Sequence, residues 1–119
     1  MNLFARIGGG LFSPIYLVHL YMKNQEPQKP QFPLGDILAT AGAVEVLSRT
    51  NTNVVELLRR HVSGDWGVVC AADELLNQQA ILGRGRILSS YVIGPQQERV
   101  WIITEADRSA TTILTPAEY

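Results

Sequence analysis

An α+β fold is predicted, with two or three helices first and a three-stranded antiparallel β-meander after them, the helices packed on one face of the sheet. Three observations carry this. Helical spacing of apolar residues prevails up to Gly85, runs of Val, Ile, Thr, Tyr and Trp prevail after it, and the gaps between those runs are short enough for hairpins. A chain of 119 residues, 46% hydrophobic and 18% charged, suits one domain with a single core.

Residues 1–31 read as a leader to a domain spanning 32–119. The apolar run Leu11 to Met22 is interrupted by Ser13, Pro14 and His19 and falls short of the roughly 20 apolar residues that span a bilayer. Arg6 is the single early base, and Met22-Lys-Asn-Gln is a poor cleavage site, so a signal peptide is not expected. The reading is cytoplasmic, without membrane contact. MKNQEPQKPQ is a polar, proline-containing stretch just before the domain, which makes Met22 a candidate natural start and residues 1–21 upstream sequence. Gly8-Gly-Gly10 lacks the Lys-Ser/Thr and following helix of a phosphate loop.

Within the domain, Thr40 is placed to cap a short helix over 41–49, and Asn53 to cap a second, VVELLRRHV, with Val54, Leu57, Leu58 and His61 on one face and Gly64 at its end. A third helix fits Ala71 to Leu82. Asp73 and Glu74 complement its dipole, Leu75, Leu76, Gln79 and Leu82 lie along one stripe, and Gly83 or Gly85 stops it. Strands are expected over Ile87–Ile93, Arg99–Thr104 and Ala110–Thr115, separated by Gly94-Pro-Gln-Gln and Glu105-Ala-Asp-Arg. The middle strand alternates Val100 and Ile102 with Trp101 and Ile103 and has no polar face, so helices should cover one side and a loop or partner part of the other. Trp101 is expected to pack structurally.

With HVSGDWG, RILSSY, WIITEADRSATTIL and the closing PAEY in hand, the chain from Phe32 to Tyr119 resembles a family of small proteins of bacterial plasmids and integrative elements. Its members are usually labelled plasmid-related protein or type I restriction endonuclease subunit M. The resemblance implies a mobile-element setting and carries over no site residue. The restriction-subunit label fails on physical grounds: neither the glycine-rich turn of a methyl-donor site nor an NPPY- or DPPY-like motif is present, and the chain is too short for a methyltransferase fold.

Charge narrows the function classes. Net charge is -1, and from Phe32 onward seven Lys or Arg face ten Asp or Glu, which argues against non-specific nucleic-acid binding. Cys70 stands alone, so no internal disulfide forms; the expectation is a buried apolar side chain. His19 and His61 lack ligand spacing, so neither a metal nor a cofactor is expected.

Two patches hold the candidate residues. His61, Asp65 and Trp66 could set an imidazole beside a carboxylate for acid/base work; alternatively His61 satisfies a helix end, Asp65 caps the next turn and Trp66 plugs the core. Glu105, Asp107, Arg108, Ser109, Thr111 and Thr112 form a polar hairpin turn. It reads either as a turn stapled by Asp bonds and an Arg-carboxylate pair, or as a shallow polar surface for a partner or phosphate. The preferred function is non-enzymatic: an accessory protein that binds another protein, through candidates Asp65, Trp66, Asp107, Arg108, Ser109 and Thr111, and that interferes with a host defence or restriction system. A homodimer is compatible with the sequence. The enzymatic rival is a small metal-independent ribonuclease of barnase- or RelE-like architecture, with His61 or Glu105 as base and Arg108 on the phosphate.

Overall fold

A computed structural model describes residues 5–7, 10–15, 17–18, 22 and 29–119. Ahead of the domain, strands β1 (Ala5–Ile7) and β2 (Gly10–Phe12) pair antiparallel. Much of the leader reading, with Gly8, Gly9 and His19, lies outside the described residues. No described helix is long and apolar enough to cross a membrane.

The domain is α+β, with three helices and a four-stranded mixed sheet. Strand β3 (Asp36–Ala39) leads into α1 (Ala41–Arg49), α2 (Val54–Val62) and α3 (Ala71–Leu82), followed by β4 (Ile87–Ile93), β5 (Glu98–Thr104), β6 (Ala110–Leu114) and a 3-10 turn at Pro116–Glu118. The caps act as predicted: Thr40 accepts from Ala43 N and Asn53 from Val55 N, each satisfying a donor orphaned at a helix start.

The expected three-stranded antiparallel sheet is corrected. β4, β5 and β6 do form that meander, but β3 adds to the far side of β6 in parallel, giving the order β3-β6-β5-β4. Gly35 permits this: its φ is +64°, and a Cβ there would collide with the Arg108 and Ser109 carbonyls as the chain drops beside β6.

α1 and α2 cover one face. Ala43, Val46, Leu47, Leu57 and Leu58 pack on Tyr91, Ile93, Val100, Ile102 and Ile113, the inward alternation of β4, β5 and β6. A second cluster joins Phe32, Val62, Trp66, Ala80 and Ile87. α3 does not lie flat on the sheet. Its predicted stripe is wrong, because Leu75, Leu76 and Leu82 are exposed while Asn77 and Ala80 are buried. The reason is the edge it serves: Asn77 donates to the Leu88 carbonyl (2.8 Å) and accepts from Leu88 N (3.0 Å), so an amide side chain takes the place of a neighbouring strand along β4. Cys70, expected to be buried, is exposed at the start of α3.

Candidate functional site

The first candidate patch is taken apart by the fold. His61 is fully buried on α2, its ring edge-on to Phe32 at 5.2 Å, and it touches neither a carboxylate nor the helix end. Nδ1 lies 2.5 Å from Ser89 Oγ and Nε2 2.9 Å from Thr104 Oγ1. The direction of each bond follows from one fixed donor. Thr111 Oγ1 must donate to the Leu34 carbonyl (2.7 Å), so it accepts from Thr104 (2.7 Å), which leaves Thr104 to accept from the imidazole. The proton therefore sits on Nε2, and Ser89 donates to Nδ1. Tyr91 lies beside this chain, its hydroxyl donating to the Asp65 carbonyl at 2.6 Å and sitting 3.1 Å from Ser89 Oγ. Burial without a nearby charge pushes the His61 pKa down to about 3, and burial pushes the Tyr91 phenol up to about 12.

Asp65 turns outward to Arg60, with Oδ2 2.7 Å from Nε and Oδ1 3.2 Å from a terminal guanidinium nitrogen; this hydrogen-bonded pairing lowers its pKa, and Arg60 lies over the Tyr91 ring at 4.5 Å. It also accepts from Gly67 N (3.3 Å), the expected turn cap. Trp66 is buried as a core plug.

In the second patch the predicted arginine-carboxylate pair is absent. Arg108 adopts φ +60° and sends its guanidinium to carbonyls: Ala80 (2.8 Å), Gly85 (2.6 Å) and Glu105 (3.0 Å). It ties the β5–β6 turn to the C-terminal end of α3, where orphaned carbonyls favour a cation. Asp107 staples the turn as expected, accepting from Ser109 N at 2.9 Å. Thr111 is fully buried, whereas Glu105, Asp107 and Ser109 are exposed. The fold thus keeps Glu105 and Arg108 in one turn, where the guanidinium bonds the Glu105 carbonyl and not its carboxylate, and buries His61 away from both.

The outer face of the sheet, opposite α1 and α2, is the side of the middle strand for which the sequence predicts partial cover by a loop or partner, and it holds a groove that the sequence reading did not locate. Leu88, Trp101 and Ile103 floor a groove of about 420 Å³ between α3, which contributes Leu76 and Asp73, and the C-terminal turn, which contributes Tyr119. Trp101 is half-buried and meets Tyr119 edge-on at 5.6 Å; Arg86 donates to the Tyr119 hydroxyl at 2.7 Å from the groove's rim. The closing Pro-Ala-Glu-Tyr holds that wall in place. Glu118 accepts from Thr40 Oγ1 (2.6 Å), Gly42 N (3.1 Å) and Thr115 N (2.9 Å), and the Thr40 and Thr115 bonds drive its pKa down to about 2. A carboxylate at the start of α1 is where the helix dipole favours one. Among the described residues no group of three or more His, Cys, Asp or Glu could hold a metal ion.

Comparison with protein families, with curated proteins and with solved structures gave no match for this chain.

Proposed function

We propose that this protein works by binding another protein, without chemistry of its own, through the groove on the outer face of its sheet. The observation that carries the reading is the groove itself: Trp101, Tyr119, Leu76 and Leu88 are left open to solvent around about 420 Å³ of concave apolar surface. Apolar concavity with a few polar groups at its rim is the usual form of a recognition site, and aromatic residues and Arg are enriched where partners anchor. Asp73 and Arg86 supply opposite charges, so a partner offering an apolar anchor flanked by an acidic group on the Arg86 side fits best.

The ribonuclease alternative draws less support. General-base catalysis needs the base within hydrogen-bond reach of substrate, and His61 is enclosed with both ring nitrogens engaged. The resemblance to mobile-element proteins sets the biological frame: an accessory protein of a bacterial plasmid or integrative element, interfering with a host defence or restriction system.

The test is capture from a native host using parent protein and Leu76→Glu, a substitution at an exposed position that places charge in the groove. The parent should retain a specific protein that Leu76→Glu loses. Capture unaffected by Leu76→Glu would remove the groove from the reading, and RNA cleavage by purified parent that disappears in His61→Ala and Arg108→Ala would replace it with the ribonuclease.

A further inference from the structure

The two edges of the sheet are finished differently. Along β4 the outward backbone groups of Leu88 and Ser90 are occupied, Leu88 by the Asn77 amide and Ser90 by Trp66 O (3.0 Å) and Val68 N (2.7 Å). Gly67, at φ +73°, lets that segment approach, since a Cβ there would run into the Ser90 carbonyl. Along β3 no such cover exists among the described residues. Asp36 N bonds Ser109 O and Thr40 N bonds Ile113 O, so alternation turns the N–H and C=O groups of Ile37 and Ala39 away from β6. All four β3 residues are exposed, Ile37 and Leu38 each by more than half, and the strand has no Lys, Pro or bulge to discourage pairing.

From this asymmetry we infer that β3 is the seam of a homodimer, pairing antiparallel with β3 of a second copy across a two-fold axis at Leu38. Three features point to a second copy. In this register every outward group of β3 is used, Ile37 exchanging both bonds with Ala39 of the other copy and the reverse. Charge is accommodated as well: Asp36 falls opposite Thr40 of the second copy, so the two carboxylates sit at opposite ends of the seam. Closure is the third. With the β4 edge occupied over Leu88–Ser90, β3 cannot extend head-to-tail onto β4 of another copy, and association stops at two. Apolar contact accompanies the backbone bonds. Leu38 meets its counterpart on the outer face, and on the inner face Ile37 borders a groove of about 440 Å³ lined by Val44, Leu47, Val54 and Ile113, which the opposing Ile37 approaches. This seam is separate from the Trp101 groove and does not depend on its occupant.

Light scattering of the full chain across a concentration series should show a monomer–dimer equilibrium. Leu38→Lys, which sets like charges on the axis, and Ile37→Pro, which deletes an outward N–H while leaving the β6 bonds intact, should each weaken it at least tenfold without lowering the melting temperature of the dilute monomer. In a Cys70→Ser background, Leu38→Cys should form a covalent dimer under mild oxidation, because directly opposed residues of a non-hydrogen-bonded pair lie about 4.5 Å apart at Cα, within disulfide reach. A chain that remains monomeric at the highest soluble concentration would overturn the seam. A dimer that persists in both edge variants, or that leaves position 38 uncrosslinked, would overturn it too and place self-association elsewhere in the chain.

Discussion

On the helix-covered face of the sheet, Ser89, Thr104 and Thr111 are joined through His61 into one hydrogen-bonded chain that ends on the Leu34 carbonyl, with Tyr91 beside Ser89 and bonded to the Asp65 carbonyl. Across the same strands the outer face carries Trp101 against Tyr119 beside an open groove, with Arg86 and Asp73 at its margin. Alternate residues of β4 and β5 thus serve opposite ends. A buried polar group is costly unless bonded, so the polar side chains of the inner face are paired, whereas the outer face keeps apolar surface uncovered. The contrast teaches that the polar residues most suggestive of chemistry are the ones most deeply committed to structure.

The largest effect should come from cutting the inner chain. His61→Ala leaves the Ser89 hydroxyl without its acceptor, Thr104 without a donor, and a cavity, at a cost of about 3 to 5 kcal/mol by chemical denaturation. A loss below about 1 kcal/mol would mean that these bonds do not hold the inner face together.

Acid probes the same residue without mutation. Because the folded pKa of His61 is lowered from 6.5 to about 3, the unfolded chain takes up the proton first. Its stabilising share is complete above about pH 6.5, falls by at most about 1.4 kcal/mol per unit as pH drops, and levels near pH 3. The slope between pH 6 and 4 should shrink in His61→Gln, and an equal slope in both proteins would contradict the assignment.

Arg108→Ala removes the side-chain donor from the Gly85 carbonyl and leaves Ala80 O only its bond from Gly83 N, and should cost about 2 kcal/mol, with exchange of the amide hydrogens of α3 accelerating locally. Trp101→Ala sharpens the contrast from the other side. Half-buried on the groove floor, this ring should contribute about 1 to 2 kcal/mol to stability, below the roughly 3 to 5 of a buried aromatic, and under the proposed groove binding its removal should abolish capture. Full core-like destabilisation would turn the outer face into a second core.

The smallest effect belongs to Glu118→Gln. Glu118 has its folded pKa depressed to about 2, so its contribution is present above about pH 4.5 and fades as pH falls toward 2. The variant should differ from the parent at neutral pH and converge with it in acid, which paired melting curves at pH 7 and 2.5 would show.

How much of this was legible in the chain itself depends on the range of the interaction concerned. Helix boundaries at Ala41, Val54 and Ala71 and strands at Ile87 and Ala110, with the middle strand placed one residue late at Arg99, came from caps, periodicity and turn residues, all acting within a few positions. β3 escaped notice because four residues beside a helix cap carry too little pattern, and its partner β6 lies more than 70 residues away. The α3 stripe misled for a related reason. Which side of an amphipathic helix is buried depends on what it meets, and α3 meets a strand edge that needs the Asn77 amide more than a row of leucines. His61 finds its partners 28 and 43 residues downstream, and Glu118 reaches back 78 residues to Thr40. By itself the sequence determined the α+β class and nearly every element within it, since local propensity is written locally. Tertiary structure alone decided which polar residues are sealed inside and which edge and which face stay open, because burial and pairing are properties of segments that meet only after the chain has closed on itself.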